Sequence, residues 1–239
     1  MRTHSAAHEI LSEAAQSDGS AISPRSHWIA MQLADSALPC GGFAHSGGLE
    51  PCYRFGHVQN ADQLQHHLSA QLMQWARGAA PIAVMAFRQL NQFSQADELC
   101  DLLLNHPVAN RASRLQGRGL LFAASHAFGE EHFTRVATDG PGHLAPVFGA
   151  VCRRMCLDEL SMVRLFFFAQ LRGMMTAAVR LGIIGPMAAG AMQHQLLISA
   201  DAMVHIARET HPNQVGQTAP LAELFASNHD RLYSRLFQS

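Results

Sequence analysis

Leu33-Ala34-Asp35-Ser36-Ala37-Leu38-Pro39-Cys40-Gly41-Gly42-Phe43-Ala44-His45-Ser46-Gly47-Gly48-Leu49-Glu50 contains one proline and two glycine pairs, and its reading decides how the flanking segments are joined. Pro39 fixes its own φ and pushes Leu38 toward an extended conformation, so the periodic segment before it ends there. Glycine pairs are costly in conformational entropy and are kept where a tight turn, a positive φ or close backbone approach is required. The stretch reads as a shaped loop leading into a helix.

Two catalytic motifs fit it badly. Gly42 to Gly47 has the G-x-x-x-x-G spacing of a phosphate-binding loop, but Gly48 and Leu49 stand where Lys and Ser or Thr are needed. The chain has no lysine, so all 17 basic residues are arginine and the point charge that such a loop aims at phosphates is missing. Ala44-His45-Ser46-Gly47-Gly48 reads as A-x-S-x-G, a variant of the nucleophile elbow of α/β serine hydrolases. That elbow works as a strained turn after a buried strand, and Leu38-Pro39-Cys40-Gly41-Gly42 is a poor strand. A serine hydrolase using Ser46 stands as the alternative reading.

A third match is to a family. Asp35 to Pro39, then Gly41 to Ser46, then Gly48-Leu49-Glu50, resembles the signature of the urease accessory protein UreF family, whose members are all-helical proteins. Further blocks resemble it too: Ala112-Ser113 with Gln116-Gly117, His143 to Gly149, Ala177 to Gly182 continuing through Ile184-Gly185-Pro186 to Gln193-His194-Gln195, and the ending Tyr233 to Ser239. Together they span roughly Trp28 to Ser239. Cys40 and Gly47 depart from the family's usual aliphatic and larger residues.

The rest of the 239 residues, 48% apolar and 15% charged, reads as globular rather than disordered. A formal charge of -1 gives no basic footprint for nucleic acid. The first 22 residues are polar, end in Ser17-Asp18-Gly19-Ser20 and lack an apolar h-region, so they read as a mobile tail without a secretory leader. Five cysteines, an odd number, then suggest a reducing, cytoplasmic setting.

From residue 23 onward the punctuation is helical. Ser23-Pro24 starts a helix; Gly48 to Phe55 forms a short one ended by Gly56; Asn60 caps Ala61 to Arg77, closed by Gly78. Pro81 is expected to open a helix through Leu90, and Ser94 to cap Gln95 to Leu104. Pro107 to Phe128 carries Arg111, Arg114 and Arg118 on one face, read as a solvated basic face. After Asp139-Gly140-Pro141-Gly142 come a segment with Cys152 and Cys156 on a shared helical face, then the apolar spine Asp158 to Leu181, interrupted by Arg164, Arg172 and Arg180 too often for a membrane span. Met187 to Arg208 follows, then a loop from Thr210 to Pro220, then a last helical segment holding Leu221, Leu224, Phe225, Leu232, Leu236 and Phe237. No segment alternates like a strand and no repeat is present. The expectation is an all-α, single-domain bundle of about nine to eleven helices over 23–239, with a tail at about 229–239 that binds a partner.

Chemistry is thinly represented. Candidates are Ser46, His45, the i, i+4 pair Asp201 and His205, and His229 with Asp230; Asp201 and His205 read as a surface pair. Cys152 and Cys156 read as buried free thiols, since no second ligand pair has zinc-site spacing. The sequence therefore points to a protein with no cofactor, metal site or catalytic residues of its own.

The resemblance implies a non-catalytic adaptor in urease maturation: a homodimer that joins the accessory protein UreD or UreH through its tail and recruits the GTPase UreG to apo-urease for nickel insertion. It also implies partner-binding residues at His45, Ser46 and Glu50 of the first block, Arg180 and Gln193 of the third, and Tyr233, Arg235, Leu236 and Phe237 of the tail. Glu50 and Arg180 are expected to face a partner, with an internal salt bridge as the other role open to Glu50.

Overall fold

A computed structural model describes residues 24–129, 133 and 140–239. The reading of residues 1–22 as a tail lies outside them. Among the described residues there is no strand, and ten α-helices follow in chain order: α1 Pro24–Ala34, α2 Leu49–Arg54, α3 Ala61–Arg77, α4 Ala79–Arg88, α5 Phe93–Leu103, α6 Pro107–Phe128, α7 Leu144–Arg154, α8 Glu159–Arg180, α9 Pro186–Glu209 and α10 Pro220–Ser227. The molecule is an all-α, single-domain bundle.

Local chemistry sets most boundaries. Asn60 accepts the N–H of Gln63 at 3.0 Å to start α3, and Asp158 accepts that of Ser161 at 2.8 Å to start α8, each satisfying a donor that the first helical turn leaves free. Pro107 and Pro186 occupy first-turn positions of α6 and α9, where the missing N–H costs nothing.

α8 is the spine. Met162, Val163, Phe166, Phe167, Leu171, Met174 and Met175 along it are all buried, each large side chain stabilising by about 1.5–3 kcal/mol relative to exposure. By length and composition α8 could cross a membrane, but over half of its apolar stretch is buried inside the bundle. α9, α4, α2 and α1 pack on it, and α7 packs closely on α4 and α6. Gly149 permits the closest of these crossings: a Cβ there would sit 2.0 Å from the Ala83 carbonyl oxygen. At the outer end, Glu159 accepts from Arg88 at 2.7 and 2.9 Å and from Arg208 at 2.8 Å, tying α4, α8 and α9. Those guanidiniums hold its carboxyl below the usual range, the Arg88 hydrogen bonds most of all.

Several expectations are corrected. Pro81 lies within the first turn of α4 rather than opening it, and Ser94 lies inside α5. Cys152 and Cys156 do not share a face: α7 ends at Arg154, Cys156 is exposed in the left-handed region at φ 57°, and Cys152 is fully buried. The last helical segment stops at Ser227; beyond the short turn His229–Arg231 the chain has no helix, bends at 233–234 and 236–237, and returns to the glycine loop.

Candidate functional site

The glycine loop, the C-terminal end of α8 and residues 228–239 meet at one place, built around Glu50. The loop leads into α2 through Gly48, whose φ of 86° suits only glycine, and a Cβ there would lie 2.8 Å from that of Ala226 on α10. The first turn of α2 is thereby pressed inward, and Glu50 has no exposed surface. A buried carboxylate is tolerable only with its charge met by donors. Here the Leu236 N–H donates to Oε1 at 2.7 Å and the Phe237 N–H to Oε2 at 3.1 Å. His229, also wholly buried, places Nε2 at 3.3 Å from Oε2, and that nitrogen carries the proton if it is to bond a carboxylate. Arg54, one helical turn on, approaches to 3.9 Å.

The remaining tail is held beside the loop. Gln238 N–H donates to the Ala44 carbonyl at 2.8 Å and Ser46 N–H to the Ser239 carbonyl at 2.6 Å. Ser46, fully buried, also donates its hydroxyl to the Ser239 carbonyl at 2.9 Å and accepts the Glu50 N–H at 3.3 Å. His45 Nδ1 lies 2.6 Å from the Ser239 hydroxyl. Burial, then the neighbouring His229 and Arg111, push the His45 pKa down, so the ring sits neutral in this packing.

Arg180 closes the arrangement. Its guanidinium lies 4.3 Å from the Phe43 ring centroid and 4.2 Å from that of Phe237, and it donates to the Phe43 carbonyl at 2.7 Å. One cation thus rivets the loop, α8 and the tail, each contact contributing about 0.5–2 kcal/mol. Outside it, Asp230 accepts from Arg111 at 2.9 and 3.1 Å and from Arg235 at 3.1 Å. Arg111 chiefly, and then Arg235, hold the Asp230 carboxyl below its ordinary value.

Of the residues singled out from sequence, His45, Ser46, Glu50, Arg180 and Phe237 come together here, with Arg235 and Leu236 on the rim. Tyr233 is fully exposed, Leu236 is 47% exposed, and Phe237 is buried. Gln193, half-buried on α9, shares no hydrogen bond with this cluster among the described residues. Of the two roles open to Glu50, the free chain displays the internal one, because the tail covers its carboxylate and satisfies its charge inside the chain. Arg180 is likewise engaged internally. The tail, expected to order against a partner, orders against its own chain.

The hydrolase geometry is absent too. Ser46 follows the short 3-10 turn Gly42–Ala44 rather than a strand, and its buried hydroxyl is bonded to main chain. Asp201 and His205 do not pair: Asp201 accepts from Arg164 at 3.0 Å, and His205 faces Glu209 at 3.3 Å. Among the described residues no three His, Cys, Asp or Glu side chains gather as a metal group.

Phe43 and Ser239 were not anticipated as parts of the site. Apart from this site, the buried Asp97 carboxylate accepts the Gly142 and His143 N–H groups at 2.9 and 2.8 Å and anchors the start of α7. For Phe43 the signal was present, as the aromatic residue inside the glycine loop.

The sequence model of the UreF family matches residues 58–197, more than half of the chain. The chain is similar to Urease accessory protein F of Arabidopsis thaliana, 32% identical over 221 residues covering 89% of this chain and 92% of that protein. It is similar as well to Urease accessory protein F of Oryza sativa subsp. indica, at 31% with 92% and 88% covered. Urease accessory protein UreF of Trichodesmium erythraeum (strain IMS101) is 30% identical, with 87% and 94% covered. An alignment covering 89% of this chain necessarily includes the glycine loop, which the family match at 58–197 omits. With a family match over more than half of the chain and relatives of 30 to 32% identity aligned over most of it, the chain belongs to the urease accessory protein UreF family.

Proposed function

We propose that this protein is a non-catalytic adaptor of urease maturation, which joins UreD or UreH and the GTPase UreG to apo-urease so that nickel, the cargo, can be inserted. It works in the cytoplasm as a homodimer. The observation that carries the reading is the convergence at Glu50: the first family block, the third block through Arg180, and the ending all meet in one packed latch, which has no accessible nucleophile. Glu50, Ser46, His45 and Arg180 act by positioning the tail, and Tyr233, Arg235 and Leu236 are the side chains presented outward to UreD or UreH. Phe237 anchors the tail from below. Gln193, away from the latch, belongs to a second contact, with UreG or with the other protomer.

The test is co-purification with UreD or UreH of three forms: the full chain, a chain lacking residues 229–239, and Tyr233→Ala with Leu236→Ala. The double variant should retain wild-type helix content and lose co-purification, because an exposed tyrosine is among the side chains that contribute most to such interfaces and Leu236 adds apolar area beside it. Co-purification undiminished in both altered chains would refute the assignment. Fluorophosphonate labelling that disappears in Ser46→Ala would instead establish the hydrolase chemistry.

A further inference from the structure

The outer face of α6 carries Arg111, Leu115, Arg118, Phe122 and His126, all exposed, at steps of four, three, four and four residues. This spacing keeps them on one side of the helix for about 22 Å. Leu115 is 49% and Phe122 64% exposed, and the Phe122 ring rests against that of His126 at 4.1 Å between centroids. A solvated helix face normally intersperses acidic with basic residues, and this one has no carboxylate of its own. Its N-terminal end opens into a cleft of about 690 Å³ lined by Arg111, Leu115, Asp230, Arg235, His45 and Ser239. Asp230 is the acidic residue lining this cleft, and it lies between Arg111 and Arg235, accepting from both. Arg111 and Arg235 therefore share one carboxylate, while Arg118 lies between the exposed Leu115 and Phe122 along the stripe.

We infer that the α6 face and its cleft form a docking groove for an acidic amphipathic helix of another protein. The helix lays its apolar edge on Leu115 and Phe122 and directs carboxylates to Arg111, Arg118 and Arg235. Charge complementarity selects this occupant. A second copy of the chain would set arginines against arginines across a two-fold axis. The cleft is walled by the latched tail, so the inference rests on the adaptor reading and gives that partner surface its chemistry.

The probe is a fluorescein-labelled helical peptide of about 18 residues, enough to cover the stripe, with Glu on one face and Leu on the other. Its scrambled and Lys-for-Glu versions serve as controls. Anisotropy titrations with the full chain should show binding of the acidic peptide that weakens with salt, and no comparable binding of either control. Arg118→Glu and Phe122→Ser, both at exposed positions, should each weaken it about tenfold or more while leaving the thermal melt unchanged. Equal binding of the scrambled peptide, or equal affinity in wild type and both variants, would overturn the inference. So would loss of self-association in the two variants by light scattering, which would make the groove a contact between copies. The assay contains no urease component, so loss of the groove's peptide binding is separable from failure of the tail to co-purify with UreD or UreH.

Discussion

Arg180 is half-buried between two aromatic rings, and its worth lies in geometry as much as in charge. A guanidinium can stack on both rings while donating to the Phe43 carbonyl, whereas an ammonium cannot lie flat between them. Arg180→Ala should therefore loosen the tail, with tryptic cleavage after Arg231 rising about tenfold for roughly 1.4 kcal/mol of latch free energy, and Arg180→Lys should restore only part of the protection. Unchanged cleavage in the alanine variant, followed by mass spectrometry, would mean that the rivet contributes nothing. Sequence singled out Arg180 and Glu50 through the family blocks and left open whether Glu50 faces a partner or pairs within the chain. Residue spacing reports which face of a helix a side chain lies on. It does not report that Leu236, 186 positions away, will cover Glu50 and satisfy it.

Helix ends were legible where a side chain or a proline supplies the stop, as at Asn60, Pro107, Asp158 and Pro186. They were misplaced where proline and serine fell in the first turn rather than before it, as at Pro81 and Ser94. The path after Ser227 differs from the helical reading because Leu232, Leu236 and Phe237 have near-helical spacing, yet the irregular backbone there bonds to the glycine loop instead of to itself. Packing between elements gives a paired prediction at two glycines. Gly149→Ala drives a methyl into the Ala83 carbonyl at the α4–α7 crossing and should cost about 1–3 kcal/mol, lowering Tm by roughly 2–12 °C for a chain of this size. Gly190→Ala, on an exposed face of α9 with open space around it, should stabilise by about 0.5–1 kcal/mol. Similar melts for the two variants would contradict the close crossing.

For the molecule as a whole, buried histidines couple stability to pH. Burial, with His57 and His66 nearby, pushes the His67 pKa down to about 4, and His45 is lowered by burial and by His229 and Arg111. The unfolded chain protonates these rings near pH 6.5 while the folded chain resists until lower pH. Their contribution is thus complete above about 6.5 and is lost as pH falls, for His67 by about pH 4 and amounting there to about 3 kcal/mol. Glu223, whose carboxyl is raised by burial, works in the opposite direction. Urea melts between pH 7.5 and 4.5 should show the decline, and His67→Leu should flatten it; a slope unchanged in that variant would place the dependence elsewhere. The bundle itself was legible because capping and periodicity are local. The latch was not, because it closes between the first described third of the chain and residues 229–239. The claim on which the account turns is that the Glu50 carboxylate holds the tail in the free protein. Hydrogen–deuterium exchange at the Leu236 and Phe237 amides tests it most directly. Both amides should be protected in the free wild-type chain and lose that protection in Glu50→Ala while α8 keeps its own; amides that exchange in the wild type as fast as an unstructured peptide would contradict it.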